Sequence, residues 1–264
     1  MKEFANLMNK KANELNLKHT HFVTPHGLDE EGHYTTAYEL AQIADYALNI
    51  KEFSEVVKTK VHNVTINGNV KTITNTNELL GYLNGVNGVK TGFTNGAGRC
   101  LVTSVERDGF NIITVMLGAD TKKIRTKDSI NLIEYIYSNY ELVNLEELIN
   151  NEFANWNKIN ANRIIVNKAV STELKLELEN IKYKFYPVKK EEINNIEINI
   201  NSLKYLEAPV EKNKKIGEIK VQIEEKNIFS VEIITTNAIE KKNMWDYMLE
   251  LICKYKYIKL KTLQ

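Results

Sequence analysis

The 264-residue sequence has little cysteine, little arginine and no long apolar run, and each shortage excludes a class of protein. The two cysteines, Cys100 and Cys253, lie far apart, so a disulfide framework is not supported, and Cys100 is expected to be a small buried residue. Arginine occurs only at positions 99, 107, 125 and 163, and the net charge is +1, which argues against a nucleic-acid surface. No stretch approaches the roughly 20 apolar residues of a membrane-spanning helix, and residues 1–4 lead directly into amphipathic periodicity rather than into a signal peptide.

The composition is that of a globular protein, with 43% apolar and 26% charged residues. The length allows one large domain or two ordinary ones. The residue pattern changes between 145 and 158, where we place a domain boundary. We therefore predict a first domain over residues 1–150, a β-rich domain over 155–237 and a terminal helix over 240–264.

Three helices and two hairpins are expected in the first domain. Apolar spacing predicts helices over 3–16 and roughly 122–139, and Thr36 with Glu39 forms a capping-box pattern that opens another helix. Asn67-Gly68 and Asp108-Gly109 are typical of tight hairpin turns, which need positive φ. The two runs joined by the second turn, 100–107 and 110–119, are apolar nearly throughout and predict central strands covered on both faces.

Alternation of apolar and polar residues dominates the second half of the chain. Five short runs predict a small β-sandwich with one wet face per sheet, at 174–178, 181–185, 196–200, 218–223 and 229–234. Helical spacing returns over 243–260, with lysines and aromatic residues near the end. This segment fits an interfacial membrane helix, basic and aromatic-rich. The alternative is a helix packed on its own domain, in which the lysines are simply favoured by the helix dipole at its C-terminus.

The stretch VNGVKTGFTNGAG (86–98) places Lys90-Thr91-Gly92 between two glycine-rich turns and admits three interpretations. A phosphate loop would place Gly directly before Lys and a helix directly after it. Here Val89 intervenes and a strand pattern follows, which disfavours that interpretation. The second interpretation is one wall of a serine acyl-enzyme site, and the third is an ordinary turn before a strand.

In an acyl-enzyme site each residue of this stretch has a task. The Lys90 ammonium places positive charge beside the nucleophile and the substrate carboxylate, and the Thr91 hydroxyl binds that carboxylate. Gly92 leaves room for the substrate and for the helix that carries the nucleophile. The N–H of Phe93 can donate into an oxyanion hole.

The wider sequence resembles serine-type D-alanyl-D-alanine carboxypeptidases, the low-molecular-mass penicillin-binding proteins. The resemblance lies in NTNELL (75–80), NGVKTGFTNGAGRCLV (87–102) and LKHTHFVTPHGLDEEGHYTTAYELAQIADYAL (17–48). LEAPVEKNKKIGEIKV (206–221) resembles the family's C-terminal β-rich domain. The resemblance implies a transpeptidase-like α/β domain with an antiparallel sheet and helices on both faces, a small β-sandwich, and a C-terminal amphipathic helix that associates with a membrane.

The resemblance also implies an activity and a site. The family removes the terminal D-Ala from peptidoglycan peptides, uses no metal or cofactor, and binds β-lactams as mimics of D-Ala-D-Ala. Lys90, Thr91 and Gly92 match the third family motif. Arg125 matches a family position that helps to hold the substrate carboxylate; the alternative is a solvated basic helix start. Thr76 stands where some relatives carry Arg.

The first two family motifs, S-x-x-K and S-x-N, have no counterpart at the expected place. None of the seven serines is followed by Lys three positions later, and Ser129-Ile130-Asn131 falls after Lys-Thr-Gly inside a predicted helix. We therefore expect an N-terminally truncated domain that is inactive alone. The alternative is a noncatalytic protein of the cell wall or membrane. A full-length family member would act outside the cytoplasm at the cell membrane.

Four histidines within fifteen residues raise the question of a metal site. They are His19, His21, His26 and His33. Their spacing matches no ligand pattern, so structural roles are expected for them and no metal is predicted. The resemblance places the loop of His26 near the substrate cleft, which makes His26 a candidate lining residue.

Overall fold

The structure is a computed structural model that describes residues 1–261, and residues 254–261 are described by their backbone only. The chain forms two compact units, of which the first comprises Met1–Asn139 and the second begins at Tyr140.

The first unit contains four helices and five strands among the described residues. In chain order they are α1 (Lys2–Glu14), α2 (Ala37–Leu48), α3 (Lys51–Val57), β1 (Val61–Ile66), β2 (Asn69–Thr74), β3 (Val86–Thr94), β4 (Gly98–Arg107), β5 (Phe110–Ala119) and α4 (Lys122–Asn139). Strands β3, β4 and β5 form an antiparallel sheet in that order, so β3 is an edge strand, and β1 pairs with β2 in a separate hairpin.

Both predicted hairpin turns are confirmed. Asn67 and Gly68 have φ of 50° and 79°, and Asp108 and Gly109 have φ of 51° and 79°. These positive values are the ones that tight hairpin turns require. The turns fix the register of β1 with β2 and of β4 with β5.

Helices cover both faces of the three-stranded sheet, as predicted. Leu101 and Val105 of β4 pack with Ile133 of α4 in a buried cluster. Ser104 and Ile113 instead line a cavity of about 660 Å³ together with residues of α2 and α3. Because successive side chains of a strand point to opposite faces, α4 and the α2–α3 pair lie on opposite sides of the sheet.

Three details of the first unit differ from the sequence-based expectation. Phe4 and Leu7 of α1 are largely exposed, and the helix buries Ala5 and Ala12 instead. The short helix α3 was not anticipated. Cys100 is half-buried rather than buried, because it lies near the beginning of β4 beside the turn at 94–98.

The second unit combines two helices with small sheets. Its elements are β6 (Tyr140–Asn144), α5 (Leu145–Asn160), β7 (Ile165–Asn167), β8 (Leu176–Leu178), β9 (Phe185–Lys189), β10 (Ile196–Ser202), β11 (Tyr205–Glu207), β12 (Lys215–Ile223), β13 (Lys226–Thr235) and α6 (Met244–Lys261). A four-stranded sheet has the order β10-β12-β13-β8, and β6-β9 and β11-β7 form two-stranded sheets. Leu145 and Ile149 of α5 belong to the same buried core as Ile219 and Ile233 of the large sheet.

Two expectations for the second unit were wrong. Helix α5 occupies residues that we had treated as a boundary, although its apolar residues recur at helical spacing: Leu145, Ile149, Phe153 and Trp156. Residues 181–184 of the run predicted as a strand at 181–185 are not in a strand, and the strand β9 begins at Phe185. Tyr183 packs edge-on against Phe229, with 5.7 Å between the ring centroids.

The predicted terminal helix forms as α6. Its side chains at Met244, Trp245 and Leu251 are largely exposed. The basic and aromatic residues of the membrane hypothesis, from Lys254 to Lys261, lie outside the residues whose side chains are described. Within the part of the chain that the structure describes, no helix has the length and apolarity needed to cross a bilayer.

Candidate active site

The edge strand β3 carries the Lys90-Thr91-Gly92 motif. Lys90 is exposed and its Nζ donates to the Thr91 carbonyl oxygen. The Thr91 side chain lies on the other face of the strand and is 9% exposed. The motif therefore presents an accessible cation on one face of the strand and a nearly buried hydroxyl on the other.

A short polar segment, Asn75–Leu79, lies along the free edge of β3. The side-chain oxygens of Thr76 and Thr91 are 2.6 Å apart, and Asn77 Nδ2 donates to the Gly88 carbonyl oxygen over 2.9 Å. The amide oxygen of Asn77 also accepts from the Leu79 N–H, which folds the segment into a local turn. The segment thus contacts β3 through side chains on the edge opposite β4.

Arg125 of α4 is buried next to this segment. Its side chain is 3% exposed, which excludes the solvated helix start considered above. Nη2 lies 3.5 Å from Glu78 Oε2, but neither Nη2 nor Nε makes a hydrogen bond within the described residues. Glu78 Oε2 also accepts from the Thr126 hydroxyl over 2.9 Å. Arg125 and Thr91 therefore contact the same polar segment, at Glu78 and Thr76 respectively.

The end of β3 leaves space beside the motif. Phe93 is exposed, and the Arg99 guanidinium lies 3.7 Å from its ring centroid. A Cβ placed on Gly92 would meet Cys100 Cβ at an ordinary 3.8 Å. The described neighbours therefore do not require glycine at this position.

A loop from residues 24–33 is fastened to the turn that follows β3. Asp29 Oδ2 accepts from the Gly96 N–H over 3.1 Å, and a Cβ on Gly96 would lie 3.1 Å from Asp29 Oδ1. The hydrogen bonds from the Thr94 side chain and the Gly96 N–H lower the pKa of Asp29. Sequence reasoning missed Asp29, which lies 67 residues before Gly96.

The loop and the end of β3 enclose a cavity of about 870 Å³. Gly27, Leu28 and Thr94 contribute to its lining. The side chain of His26 is exposed, and its Nδ1 accepts from the Leu28 N–H over 3.2 Å. His26 is not among the residues that line this cavity; instead it holds the backbone turn that presents Leu28.

Two further histidines, one just before this loop and one at its end, also contact backbone groups. His21 Nδ1 lies 2.7 Å from the Gly32 carbonyl oxygen, and His33 Nδ1 accepts from the Val23 N–H over 3.1 Å. No group of three or more metal-ligating side chains occurs among the described residues.

Two family models match the chain. Residues 1–121 match the model described as D-alanyl-D-alanine carboxypeptidase, and residues 165–241 match the C-terminal domain of penicillin-binding protein 5. Residues 122–164, which include α5, lie between the two matches.

Individual relatives extend this similarity. D-alanyl-D-alanine carboxypeptidase DacF of Bacillus subtilis is 31% identical over 82% of the chain, and DacD of Escherichia coli is 30% identical over 92%. The chain spans 54% and 60% of the lengths of these relatives.

Solved structures show the same fold. The crystal structure of penicillin-binding protein 5 from Haemophilus influenzae, 26% identical, matches 91% of the chain with a TM-score of 0.67, and the chain covers 67% of that structure. With these sequence and structure matches in hand, we conclude that the chain belongs to the serine-type D-alanyl-D-alanine carboxypeptidases, the low-molecular-mass penicillin-binding protein family.

Proposed function

We propose that the chain is part of a carboxypeptidase that removes the terminal D-Ala from peptidoglycan pentapeptide stems, and that it supplies the half of the site that holds the substrate's free carboxylate. The observation that carries this proposal is the guanidinium of Arg125, which is 3% exposed and retains unused donors. A buried cation is costly unless an anion and hydrogen bonds compensate for it. Glu78 Oε2 lies 3.5 Å from Nη2, and the carboxylate of a D-Ala-D-Ala peptide would supply the hydrogen bonds that Nε and Nη2 lack.

Lys90 and Thr91 are the other two residues that would bind the substrate carboxylate. The Lys90 ammonium supplies a mobile positive charge at the sheet edge, and the Thr91 hydroxyl offers a directed donor whose position is set by Thr76. Charge-assisted hydrogen bonds of this kind are about twice as strong as neutral ones. The space beside Gly92 allows the peptide to lie along β3, and His26 holds the loop that lines the same end of the strand.

The reaction needs a nucleophile that these 264 residues do not supply in the family pattern. In a complete site, a serine oxygen would bond to the D-Ala-D-Ala carbonyl carbon, the serine proton would pass to the amide nitrogen, and the C–N bond would break to release D-Ala. Water would then hydrolyse the ester. The Phe93 N–H would donate to the carbonyl oxygen as negative charge develops there. A β-lactam would bind by resembling the same dipeptide.

Localisation follows from the same proposal. An enzyme acting on peptidoglycan works outside the cytoplasm. Residues 243–260 would hold it at a membrane surface, because exposed apolar side chains of α6, such as Trp245 and Leu251, can enter the interfacial region.

The test is an NMR titration that measures noncovalent binding of Nα,Nε-diacetyl-L-Lys-D-Ala-D-Ala to the 264-residue chain. We expect saturable shifts at Thr91, Phe93 and Arg125, and none with the L-Ala-L-Ala diastereomer. Lys90→Gln should weaken binding roughly 10- to 100-fold, which corresponds to one hydrogen bond to a charged group. Lys71→Gln, on the exposed hairpin strand β2, is the matched control and should change nothing. Equal binding of both diastereomers would contradict the proposal.

A second measurement addresses catalysis. We expect no covalent labelling of this chain by a fluorescent penicillin, because no serine carries the S-x-x-K pattern. A labelled band that resists boiling in detergent would show that a nucleophile is present after all.

A further inference from the structure

The second unit contains a cleft for which the proposed function has no use. It has a volume of about 450 Å³ and lies between the C-terminal end of α5 and the connection from β10 to β11. Residues 156–165 and 200–205 contribute its lining. The volume falls within the roughly 300–1,000 Å³ range of small-molecule sites.

Several side chains around the cleft have unused hydrogen-bonding groups. Trp156, Arg163, Asn201 and Tyr205 line it, and none of their side chains hydrogen-bonds to another residue whose side chain is described. Arg163 also makes no ion pair with those residues, and Tyr205 is 64% exposed. The cleft therefore gathers two aromatic rings, an amide and a guanidinium with free donors, and Lys204 is a second cation in its lining.

The walls of the cleft are held in place by the surrounding structure. The Trp156 ring stacks on Phe153, with 6.1 Å between centroids and 20° between planes, and its carbonyl oxygen accepts from Asn160 Nδ2 over 3.0 Å. On the other wall, a Cβ on Gly217 would lie only 2.4 Å from the Asn201 carbonyl oxygen. Strand β12 therefore passes so close to Asn201 that it holds the backbone at this end of the cleft in place.

This set of groups matches one class of ligand. Aromatic faces cover the apolar face of a pyranose ring, and indole, amide and phenol groups bind hydroxyl and acetamido groups. The C-terminal end of α5 carries partial negative charge, so an anion can bind there only beside a cation. Arg163 is that cation, because its planar guanidinium can donate two parallel hydrogen bonds to one carboxylate.

We propose that this cleft binds an acidic N-acetylated amino sugar, namely the cell-wall glycan at muramic acid residues whose lactyl carboxylate carries no peptide. The choice of the cell-wall glycan among acidic sugars rests on the proposed function. Such a site would hold the enzyme on peptide-free stretches of the polymer, next to the stems that it trims.

The experiment uses Trp156 as a fluorescent reporter in the 264-residue chain. The sequence has two tryptophans. Trp245→Phe leaves Trp156 alone and changes a side chain that is 68% exposed. The probes are the disaccharide N-acetylglucosaminyl-N-acetylmuramic acid and the neutral N,N′-diacetylchitobiose. We expect a saturable fluorescence change with the acidic disaccharide and about tenfold weaker binding of the neutral one, because only the former has a carboxylate for Arg163.

Variants of exposed residues separate binding from folding. Arg163→Gln should abolish the preference for the acidic disaccharide, and Tyr205→Ala should weaken both sugars about tenfold through lost ring contact. The matched controls are Lys182→Gln and Phe185→Ala, which change exposed side chains outside the cleft. Circular dichroism melts of all four variants should match the parent.

The proposal is overturned if neither sugar gives saturable binding, if both bind equally, or if the cleft variants behave like their controls. Its failure is distinguishable from failure of the proposed function. Lys90→Gln should leave sugar binding unchanged, and the D-Ala-D-Ala peptide should not displace the disaccharide. Loss of peptide binding with intact sugar binding would contradict only the carboxypeptidase assignment.

Discussion

The hydroxyl oxygens of Thr76 and Thr91 lie 2.6 Å apart, although fifteen residues separate them in sequence. This contact joins the segment before β3 to the hydroxyl residue of the Lys-Thr-Gly motif. By resemblance, some relatives carry Arg at the position of Thr76. Here a neutral hydroxyl orients Thr91, and the buried cation on that side of the motif is Arg125.

The Thr76 contact should affect ligand binding. Thr76→Val removes the hydroxyl that orients Thr91, and we expect the D-Ala-D-Ala peptide to bind roughly 2- to 10-fold more weakly, as for one neutral hydrogen bond. The NMR titration described above measures this. Thr72→Val is the control, because Thr72 donates to Asn63 on the exposed hairpin, outside the site. Unchanged affinity in Thr76→Val would show that Thr91 needs no positioning.

Asp29 should make the turn after β3 sensitive to acid. Hydrogen bonds from the Thr94 side chain and the Gly96 N–H lower its pKa, so the carboxylate is stabilised in the folded state. That stabilisation is present above the ordinary carboxyl pKa and is lost as the pH falls through the lowered value. We expect the Gly96 amide shift to titrate with a midpoint below the usual Asp range. Asp29→Asn should abolish this titration and Glu30→Gln should not; a Gly96 amide that titrates in Asp29→Asn would exclude the contact.

Glu39 should stabilise the fold of the first unit at neutral pH. Its carboxylate accepts twice from the His19 N–H, over 2.8 and 3.1 Å, and also accepts from the Thr20 hydroxyl. Burial raises its pKa, but the hydrogen bonds from Thr20 and from the backbone of His19 and Lys18 outweigh burial, and the pKa is lowered. We therefore expect Glu39→Gln to lower the melting temperature at pH 7.

The pH dependence and a control sharpen this prediction. The deficit of Glu39→Gln should shrink as the pH falls through the lowered pKa, because the parent carboxylate then becomes protonated as well. Glu52→Gln changes an exposed carboxylate on α3 and should melt like the parent. A deficit that stays constant down to low pH would point to packing rather than charge.

The same residue illustrates what the sequence could and could not predict. The capping-box pattern correctly placed the start of α2, where the Glu39 N–H donates to Thr36 Oγ1 over 3.2 Å. The carboxylate of Glu39, however, binds His19 and Thr20 rather than closing the box. Local patterns specify local hydrogen bonds, whereas the partner of a long polar side chain depends on which loop packs beside it.

For the candidate site, too, the sequence predicted some residues and missed others. The motif stretch predicted Lys90 and Thr91 as site residues, and the resemblance added Arg125. Asn77 and Asp29 bind the backbone of Gly88 and Gly96 on either side of the motif; such contacts between residues distant in sequence leave no periodic signal. The missed helix α5 is different, since its apolar spacing was readable and was obscured by the run of Asn and Glu residues on its exposed side.

The two-point ion pair between Arg107 and Glu134 should stabilise the first unit. Arg107 Nη2 and Nη1 lie 2.7 and 3.2 Å from the two Glu134 oxygens, and the guanidinium carbon lies 4.5 Å from the Tyr137 ring centroid. Lysine keeps the charge but not the two-point contact or the stacking. Because Glu134 is 46% exposed, solvent screening limits the effect, and we expect Arg107→Lys to cost about 1 kcal/mol of unfolding free energy.

The measurement should report on the first unit alone, because both tryptophans lie in the second. Native-state hydrogen exchange of the β4 amides meets this need, and the slowest amides should exchange about fivefold faster in Arg107→Lys. Lys168→Gln breaks the exposed pair with Glu207 in the second unit and should leave those amides unchanged. If the β4 amides of Arg107→Lys exchanged at the parent's rate, a single contact between lysine and Glu134 would give the same stability. The two-point contact of arginine would then add nothing to the free energy of unfolding.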